Sequence, residues 1–232
     1  MGGHQDLRMT QPLSPASLKR IASLYPRVWD YNHYYVPSKL RSDPVYSAVV
    51  SEIGTSALPV LDIGCGIGLL AFCLRESGVT ADITGCDYDA PKITSAQRMA
   101  ERGGYAGLSF LAADARTGLP DFSGNVVILD ILQFFTRPEQ ETLLRLAAAR
   151  VAEGGKLVIR SVLRDDSARF RITVAGDWLA KLTFWMKAGP VCYPDRDLFE
   201  SVLGAAGLKV QISPMWGGTP FNNHLIVAER GP

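Results

Sequence analysis

The sequence predicts an α/β protein built on an open, mostly parallel sheet with helices on both faces. Short apolar runs alternate with helical segments through five candidate strands, which is the pattern of a parallel sheet with helical crossovers. Two further candidate strands, Leu208 to Ser213 and Leu225 to Glu229, close the chain. With 232 residues, 47% of them hydrophobic and 20% charged, the protein can bury the core that such a sheet needs.

The segment before the first strand, residues 1–56, is predicted to be helical. Ser14-Pro15 and Asp43-Pro44 each place a capping side chain before a proline, a combination that begins many helices. Apolar residues then recur at helical spacing after each pair. A stretch dense in aromatic residues, 28–35, lies between the two predicted helices.

A glycine-rich turn organises the rest of the chain. The apolar run from Leu58 to Ile63 predicts a buried strand, and the run from Leu69 to Leu74 predicts a helix. Between them lies Asp62-x-Gly64-x-Gly66-x-Gly68. Glycines permit positive φ and let the backbone approach a ligand closely, while the first N–H groups of the following helix point towards that ligand.

Acidic residues follow the next predicted strands. Asp87 ends the strand that begins at Ile83 and lies 19 residues after Gly68, which leaves room for one helix. Its carboxylate can accept two hydrogen bonds from ribose hydroxyls, and we expect it to be hydrated without a ligand. Asp114 follows the third strand and can accept a hydrogen bond from an adenine amine.

Polar residues also follow the fourth and fifth predicted strands. Val126 to Leu129 leads into Asp130, and Lys156 to Ile159 leads into Arg160. The carboxyl ends of parallel strands meet at one edge of a sheet, where ligands bind at the point at which the strand order reverses. We therefore expect Gly64 and the strand-end residues to converge on one rim, with Gln133 and Arg160 on the side of a second substrate.

The three motifs in this order resemble those of class I S-adenosylmethionine-dependent methyltransferases. The resemblance is carried by the glycine motif, Asp87 and Asp114, and it covers residues 58 to 162 best. It implies a Rossmann-like sheet that ends in an antiparallel C-terminal hairpin, a binding domain over 57–232, and S-adenosylmethionine as cofactor. The residues expected to bind this cofactor are Tyr35, Arg41, Asp62, Gly64, Cys65, Gly66, Gly68, Asp87, Tyr88, Asp114, Ala115 and Asp130.

The resemblance also implies that residues 1–56 form a lid over the cofactor. Tyr34 or Tyr35 is then expected near the sulfonium, and Lys39 or Arg41 near the methionine carboxylate. An equally weighted alternative is that the aromatic residues only dock the N-terminal helices on the core while the basic residues are solvated. Cys65, although beside the proposed cofactor, also suits a role as a small buried apolar residue.

A second helical segment interrupts the alternation at 163–193. It is too long for a plain connection and is predicted to form one or two helices. These helices cover the pocket of the methyl acceptor, pair two subunits in a homodimer, or pack only on their own domain. Sequence reasoning leaves the three alternatives open.

The acceptor half carries fewer signals than the cofactor half. A phenol has an unperturbed pKa near 10, so a base would assist its methylation. His33 and Asp166 are the candidate catalytic residues, with a structural or surface role as the alternative for each. A weaker resemblance to small bacterial methyltransferases of aryl polyene pathways rests on Tyr34 to Pro44 and Asp130 to Phe134. It implies a phenolic or aryl acceptor, free or bound to a carrier protein.

Composition limits the possible partners. The net charge of +1 offers no electrostatic case for nucleic acid, and no apolar run is long enough to span a membrane. The four cysteines form no C-x-x-C pair and the three histidines are scattered, so we expect neither a metal site nor a disulfide framework. Reduced cysteines and the absence of a recognisable signal peptide favour the cytoplasm.

Two other functions stay open on the sequence alone. The protein could bind S-adenosylmethionine as a regulator without catalysing methyl transfer. Less favoured is a nicotinamide-dependent oxidoreductase, because the spacing of the glycines differs from the Gly-x-Gly-x-x-Gly of dinucleotide-binding turns.

Overall fold

The structure is a computed structural model that describes residues 13–25, 31–182, 189–216 and 219–231. Side chains are described outside 177–182. Expectations that fall on residues 1–12, 26–30 and 183–188 therefore lie outside the described residues. Of the described helices, none is long and apolar enough to cross a membrane.

Seven strands form one sheet in the order β3-β2-β1-β4-β5-β7-β6. The first five are parallel, and the last two form an antiparallel pair that joins β5. This confirms the predicted fold class. The strands are β1 (Val60–Ile63), β2 (Ile83–Asp87), β3 (Leu108–Ala112), β4 (Asn125–Leu129), β5 (Lys156–Val162), β6 (Leu208–Pro214) and β7 (Asn223–Arg230).

Helices cover both faces of the sheet, as predicted. Alternate residues of the central strands point to opposite faces, so Val158 joins the core under the first five helices and Leu157 joins the core under α6 and α8. The helices are α1 (Pro15–Ser23), α2 (Tyr31–Ser42), α3 (Val45–Ile53), α4 (Leu69–Glu76), α5 (Ala90–Gly103), α6 (Arg137–Ala149), α7 (Ala168–Leu182) and α8 (Arg196–Ala205), with a short 3₁₀ turn at Leu132–Phe134.

The N-terminal helices share the first of these cores. Ile21, Val36 and Val49 are buried in the same cluster as Leu70 and Phe72 of α4. Because α1, α2 and α3 bury apolar side chains against α4, they lie over the glycine turn rather than apart from it. The boundary between residues 56 and 57 remains a prediction.

Local signals begin several helices where the sequence places them. The Ser14 side chain accepts a hydrogen bond from the Ser17 N–H, and the Thr136 N–H donates to Glu139 at 2.7 Å. Asp43 departs slightly from its predicted capping position. Its Oδ1 accepts from the Val45 N–H at 3.0 Å, within a bend that precedes the helix. This leaves its other oxygen available for longer-range contacts.

The strand order reverses between β1 and β4, because the chain first runs outward to β2 and β3 and then returns. The carboxyl ends of both strands face the same rim, where the turns leaving them separate and open a crevice. The glycine turn and the turn after β4 therefore face one space.

Candidate active site

A cavity of about 620 Å³ lies at this rim. Every parallel strand contributes residues from its carboxyl end, and α2 and α3 supply residues from the lid side. Ten of the predicted cofactor-binding residues line the cavity, namely Tyr35, Asp62, Gly64, Cys65, Gly66, Asp87, Tyr88, Asp114, Ala115 and Asp130. Gly68 and Arg41 are not among its lining residues.

The glycines of the turn differ in what surrounds them. Gly66 has φ +56°, and no heavy atom lies within 4 Å of the position that a Cβ would occupy. A side chain there would project into open space at the cavity wall. Gly68 also has positive φ, but its Cβ position lies 2.9 Å from the Phe110 ring and 3.1 Å from Ala96. It lets α4 pack closely on its neighbours and contributes to the site through that packing.

Asp87 is more constrained than the expected hydrated acid. Its residue is 7% exposed, and its two oxygens accept hydrogen bonds from the N–H groups of Gly66 and Asp89, both at 2.9 Å. The expectation of a freely hydrated carboxylate is therefore wrong. The carboxylate holds the glycine turn and the start of α5 together, and it still lines the cavity, where further lone pairs can accept ribose hydroxyls.

Asp62 presents a buried carboxylate to the same cavity. Its residue is 2% exposed, and no hydrogen bond from any described residue reaches its side chain. Burial, together with the neighbouring Asp87 charge, raises the pKa of Asp62 to about 7. A buried carboxylate without a partner is costly, so a cationic ligand group in the cavity would stabilise it.

The turn after β3 forms another wall. Asp114 Oδ1 accepts from the Arg116 N–H at 2.9 Å, and the Arg116 guanidinium lies over the Phe135 ring at 4.4 Å. The same guanidinium donates to the Phe134 carbonyl oxygen at 2.9 Å. Arg116, which sequence reasoning did not select, thus connects the turn after β3 with the turn after β4. Tyr88 is exposed beside this wall.

Four charged side chains join the lid to the ends of β4 and β5. Arg160 donates through Nε to Asp130 Oδ1 at 2.7 Å, pairs again with Asp130 through Nη2, and pairs with Asp43 through Nη1. Lys39 Nζ lies 2.6 Å from Asp43 Oδ2. Burial alone would lower the pKa of Arg160, but the two carboxylates outweigh it and the pKa is raised.

This arrangement separates the two basic candidates of the lid. Lys39 lines the cavity, whereas Arg41 is exposed on α2 and takes no part in the lining. The i, i+4 spacing of Lys39 and Asp43 was a signal in the sequence for their pairing. Nothing in the sequence showed that Asp43 would also meet Arg160, which lies 117 residues away.

The two catalytic candidates lie outside the cavity lining. His33 is half-buried, and its Nδ1 donates to the Tyr25 carbonyl oxygen at 2.8 Å. Asp166 is exposed after β5. Gln133 is also outside the lining, where its amide donates to the Asp130 carbonyl oxygen at 3.0 Å. The structure therefore does not bring the proposed bases to the strand ends, and their catalytic roles remain predictions.

Comparison with known families decides what the cavity is for. A family model described as a methyltransferase domain matches residues 55–187, more than half of the 232 residues. The chain belongs to this methyltransferase family. The match begins before β1 and continues into the helical segment after β5, so it contains every strand-end residue discussed above.

Relatives agree with this assignment. The methyltransferase is 28% identical over 174 residues to a ubiquinone biosynthesis O-methyltransferase of Pectobacterium atrosepticum, covering 72% of this chain and 68% of the relative. Its fold is similar to magnesium protoporphyrin IX methyltransferase from Synechocystis PCC 6803 with bound S-adenosylhomocysteine. That similarity has a TM-score of 0.64 at 17% identity and covers 94% and 96% of the two chains. It is an S-adenosylmethionine-dependent methyltransferase, and S-adenosylmethionine is its cofactor.

The cavity has the features that this cofactor needs. The open space at Gly66 admits a ligand against the backbone, Asp87 offers acceptors for a diol, and Asp62 offers an unpartnered carboxylate for an ammonium group. These observations concern the residues of the chain itself. The individual roles of the lining residues are proposed below.

Asp62 is expected to exchange stability for binding. Its folded-state pKa of about 7 lies above the usual 3.8, so the folded protein holds this proton more tightly than the unfolded chain does. Stability from this group is therefore greatest below pH 4 and falls as the pH rises through about 7. Asp62→Asn should raise the free energy of unfolding of the ligand-free protein by about 2–4 kcal/mol at pH 8 and change it little at pH 4. The same variant should weaken cofactor binding.

Denaturant unfolding of the wild type and Asp62→Asn at both pH values measures this effect. Asp121→Asn is the matched control, because Asp121 is exposed outside the cavity. Equal destabilisation of Asp62→Asn at pH 4 and pH 8 would mean that the carboxylate has a structural partner.

Proposed function

We propose that this enzyme transfers the methyl group of S-adenosylmethionine to an oxygen atom of a phenolic or aryl small molecule. The observation that carries the proposal is the aromatic part of the cavity wall. Tyr35 and Tyr46 line the cavity from the lid, and Phe134 and Phe135 line it after β4. Flat aromatic acceptors gain both buried area and favourable ring contacts from such a wall.

The cofactor is proposed to occupy the side of the cavity next to the glycine turn. Asp87 would accept the ribose hydroxyls and Asp114 the adenine amine. Asp62 would receive the ammonium of the methionine part and Lys39 its carboxylate. Tyr88, exposed after β2, would contact the adenine ring. Gly64, Gly66 and the N–H groups that open α4 would let the backbone approach the amino-acid part.

The bound cofactor supplies an activated methyl group on a sulfonium. What the chain must add is mainly position: it holds the acceptor oxygen about 3 Å from the methyl carbon and in line with the sulfur, which can lower the barrier by several kcal/mol. Tyr35 presents an aromatic face of the kind that stabilises a cation. The lid helices would exclude water from the reacting groups.

The nearest support for oxygen as the acceptor atom is the similarity to the ubiquinone biosynthesis O-methyltransferase. The relative's own substrate is not carried over, because the acceptor side of this chain is lined by its own set of residues. Delivery of the acceptor by a carrier protein, a homodimer and a cytoplasmic location remain predictions.

A screen of phenols, aryl acids, anilines and activated carbon acids tests the proposal. Formation of S-adenosylhomocysteine and the mass of the product are measured for each acceptor. We expect methyl uptake by at least one phenol, with the aniline of matched shape slower by about tenfold or more. Uptake restricted to amines or carbon acids would refute oxygen as the acceptor atom.

A further inference from the structure

We propose that Asp43 is a positioning residue, which holds the lid cation Lys39 and the strand-end cation Arg160 in place for cofactor binding. This inference rests on the proposed placement of the cofactor in the cavity. Asp43 is not one of the residues that line the cavity, whereas Lys39 and Arg160 are. Its effect on the ligand would therefore pass through these two neighbours.

Asp43 divides its hydrogen bonds between three groups. Oδ1 accepts from Arg160 Nη1 and from the Val45 N–H, and Oδ2 lies 2.6 Å from Lys39 Nζ. The side chain is 9% exposed and that of Arg160 is 5% exposed, so water competes weakly for these contacts. Burial alone would raise the pKa of Asp43, but Arg160 and Lys39 outweigh it and the pKa is lowered. Asp43 is therefore ionised near neutral pH.

Arg160 transmits the contact to the other side of the cavity. Its remaining nitrogens form a two-point pair with Asp130, which follows β4 and has φ +58°. Asp130 is the one residue other than glycine with positive φ in the described part of the chain. Such a conformation persists where surrounding contacts hold it. The planar guanidinium thus joins the bend before α3 to the end of β4.

The charges explain why Asp43 matters for the ligand. Lys39 and Arg160 are balanced by Asp43 and Asp130, so the network is neutral as a whole. Without the Asp43 charge, the nearest carboxylate left to Lys39 is Asp130, whose Oδ2 lies 3.9 Å away. Lys39 would then move towards Asp130 and away from a ligand carboxylate. At the same time α2 would lose its ionic contact with β5.

The variant Asp43→Asn tests the role, because asparagine keeps the size of the side chain and an acceptor for the Val45 N–H. We expect the Kd for S-adenosylhomocysteine and the KM for S-adenosylmethionine to rise about 5- to 50-fold, the range usual for coupling between a binding site and another element. The kcat at saturating cofactor should change less. Asp43→Glu, which restores the charge, should recover part of the affinity.

Glu52→Gln is the matched control. Glu52 lies near the other end of α3 and pairs with Lys156 of β5 at 3.0 Å, so it ties the same helix to the same strand away from the cavity. We expect Glu52→Gln to lower the melting temperature by an amount similar to Asp43→Asn but to leave the Kd unchanged.

Two outcomes would overturn the positioning role. One is a lowered melting temperature of Asp43→Asn with wild-type Kd and KM. The other is an equal loss of affinity in Glu52→Gln, which would mean that any loosening of α3 suffices. Absence of S-adenosylhomocysteine binding by the wild type is a separate result, and it would overturn the placement of the cofactor in the cavity.

Discussion

Gly66→Val is expected to abolish binding of S-adenosylmethionine while the protein still folds. No heavy atom lies within 4 Å of the Cβ position, so a valine meets no neighbour in the ligand-free protein. Its methyl groups would instead occupy the space that the cofactor needs. Since φ is +56°, the branched side chain also strains the turn, which costs about 1–3 kcal/mol of stability. Calorimetric titration with S-adenosylhomocysteine should show no binding.

Gly104→Val separates the two effects of that change. Gly104 ends α5 with φ +66°, and no heavy atom lies within 4 Å of its Cβ position either. It is exposed and does not line the cavity. The control should therefore lose similar stability and keep wild-type affinity. Retention of wild-type affinity by Gly66→Val would mean that the turn does not contact the ligand.

Asp87→Ala is expected to weaken S-adenosylmethionine binding by roughly 30- to 1000-fold, because two charge-assisted hydrogen bonds to the ribose are lost. These bonds are the same in the ground and transition states, so KM for the cofactor should rise more than kcat falls. The structure adds a second consequence. The N–H groups of Gly66 and Asp89 lose their acceptors, and stability should fall by about 1–2 kcal/mol.

Thermal melts of Asp87→Ala and Asp87→Asn, with and without S-adenosylhomocysteine, distinguish the two roles of the carboxylate. Asparagine keeps one oxygen as an acceptor, so Asp87→Asn should recover part of the stability but little of the affinity. An unreduced rise in melting temperature on adding the ligand to Asp87→Ala would rule out the ribose contact and leave Asp87 a structural acceptor of the two N–H groups.

The sequence by itself determined the fold class and the cofactor. Alternating strands and helices have distinct hydrophobic periods, and Asp62, the glycines, Asp87 and Asp114 lie directly at strand ends. Such signals are local, since each depends on residues that are neighbours in the chain. The parallel strands then bring those ends to one rim without further information, because all five carboxyl ends point the same way.

The tertiary structure alone decided which side chains complete the site. Arg41 and Lys39 look alike in the sequence, but only Lys39 faces the cavity, because the orientation of α2 depends on its buried residues Val36 and Leu40. The burial that raises the pKa of Asp62 arises from all the elements packed around it. The meeting of Asp43 with Arg160 joins residues 117 positions apart. No local pattern encodes such contacts, since they exist only once the lid helices have packed across the strand ends.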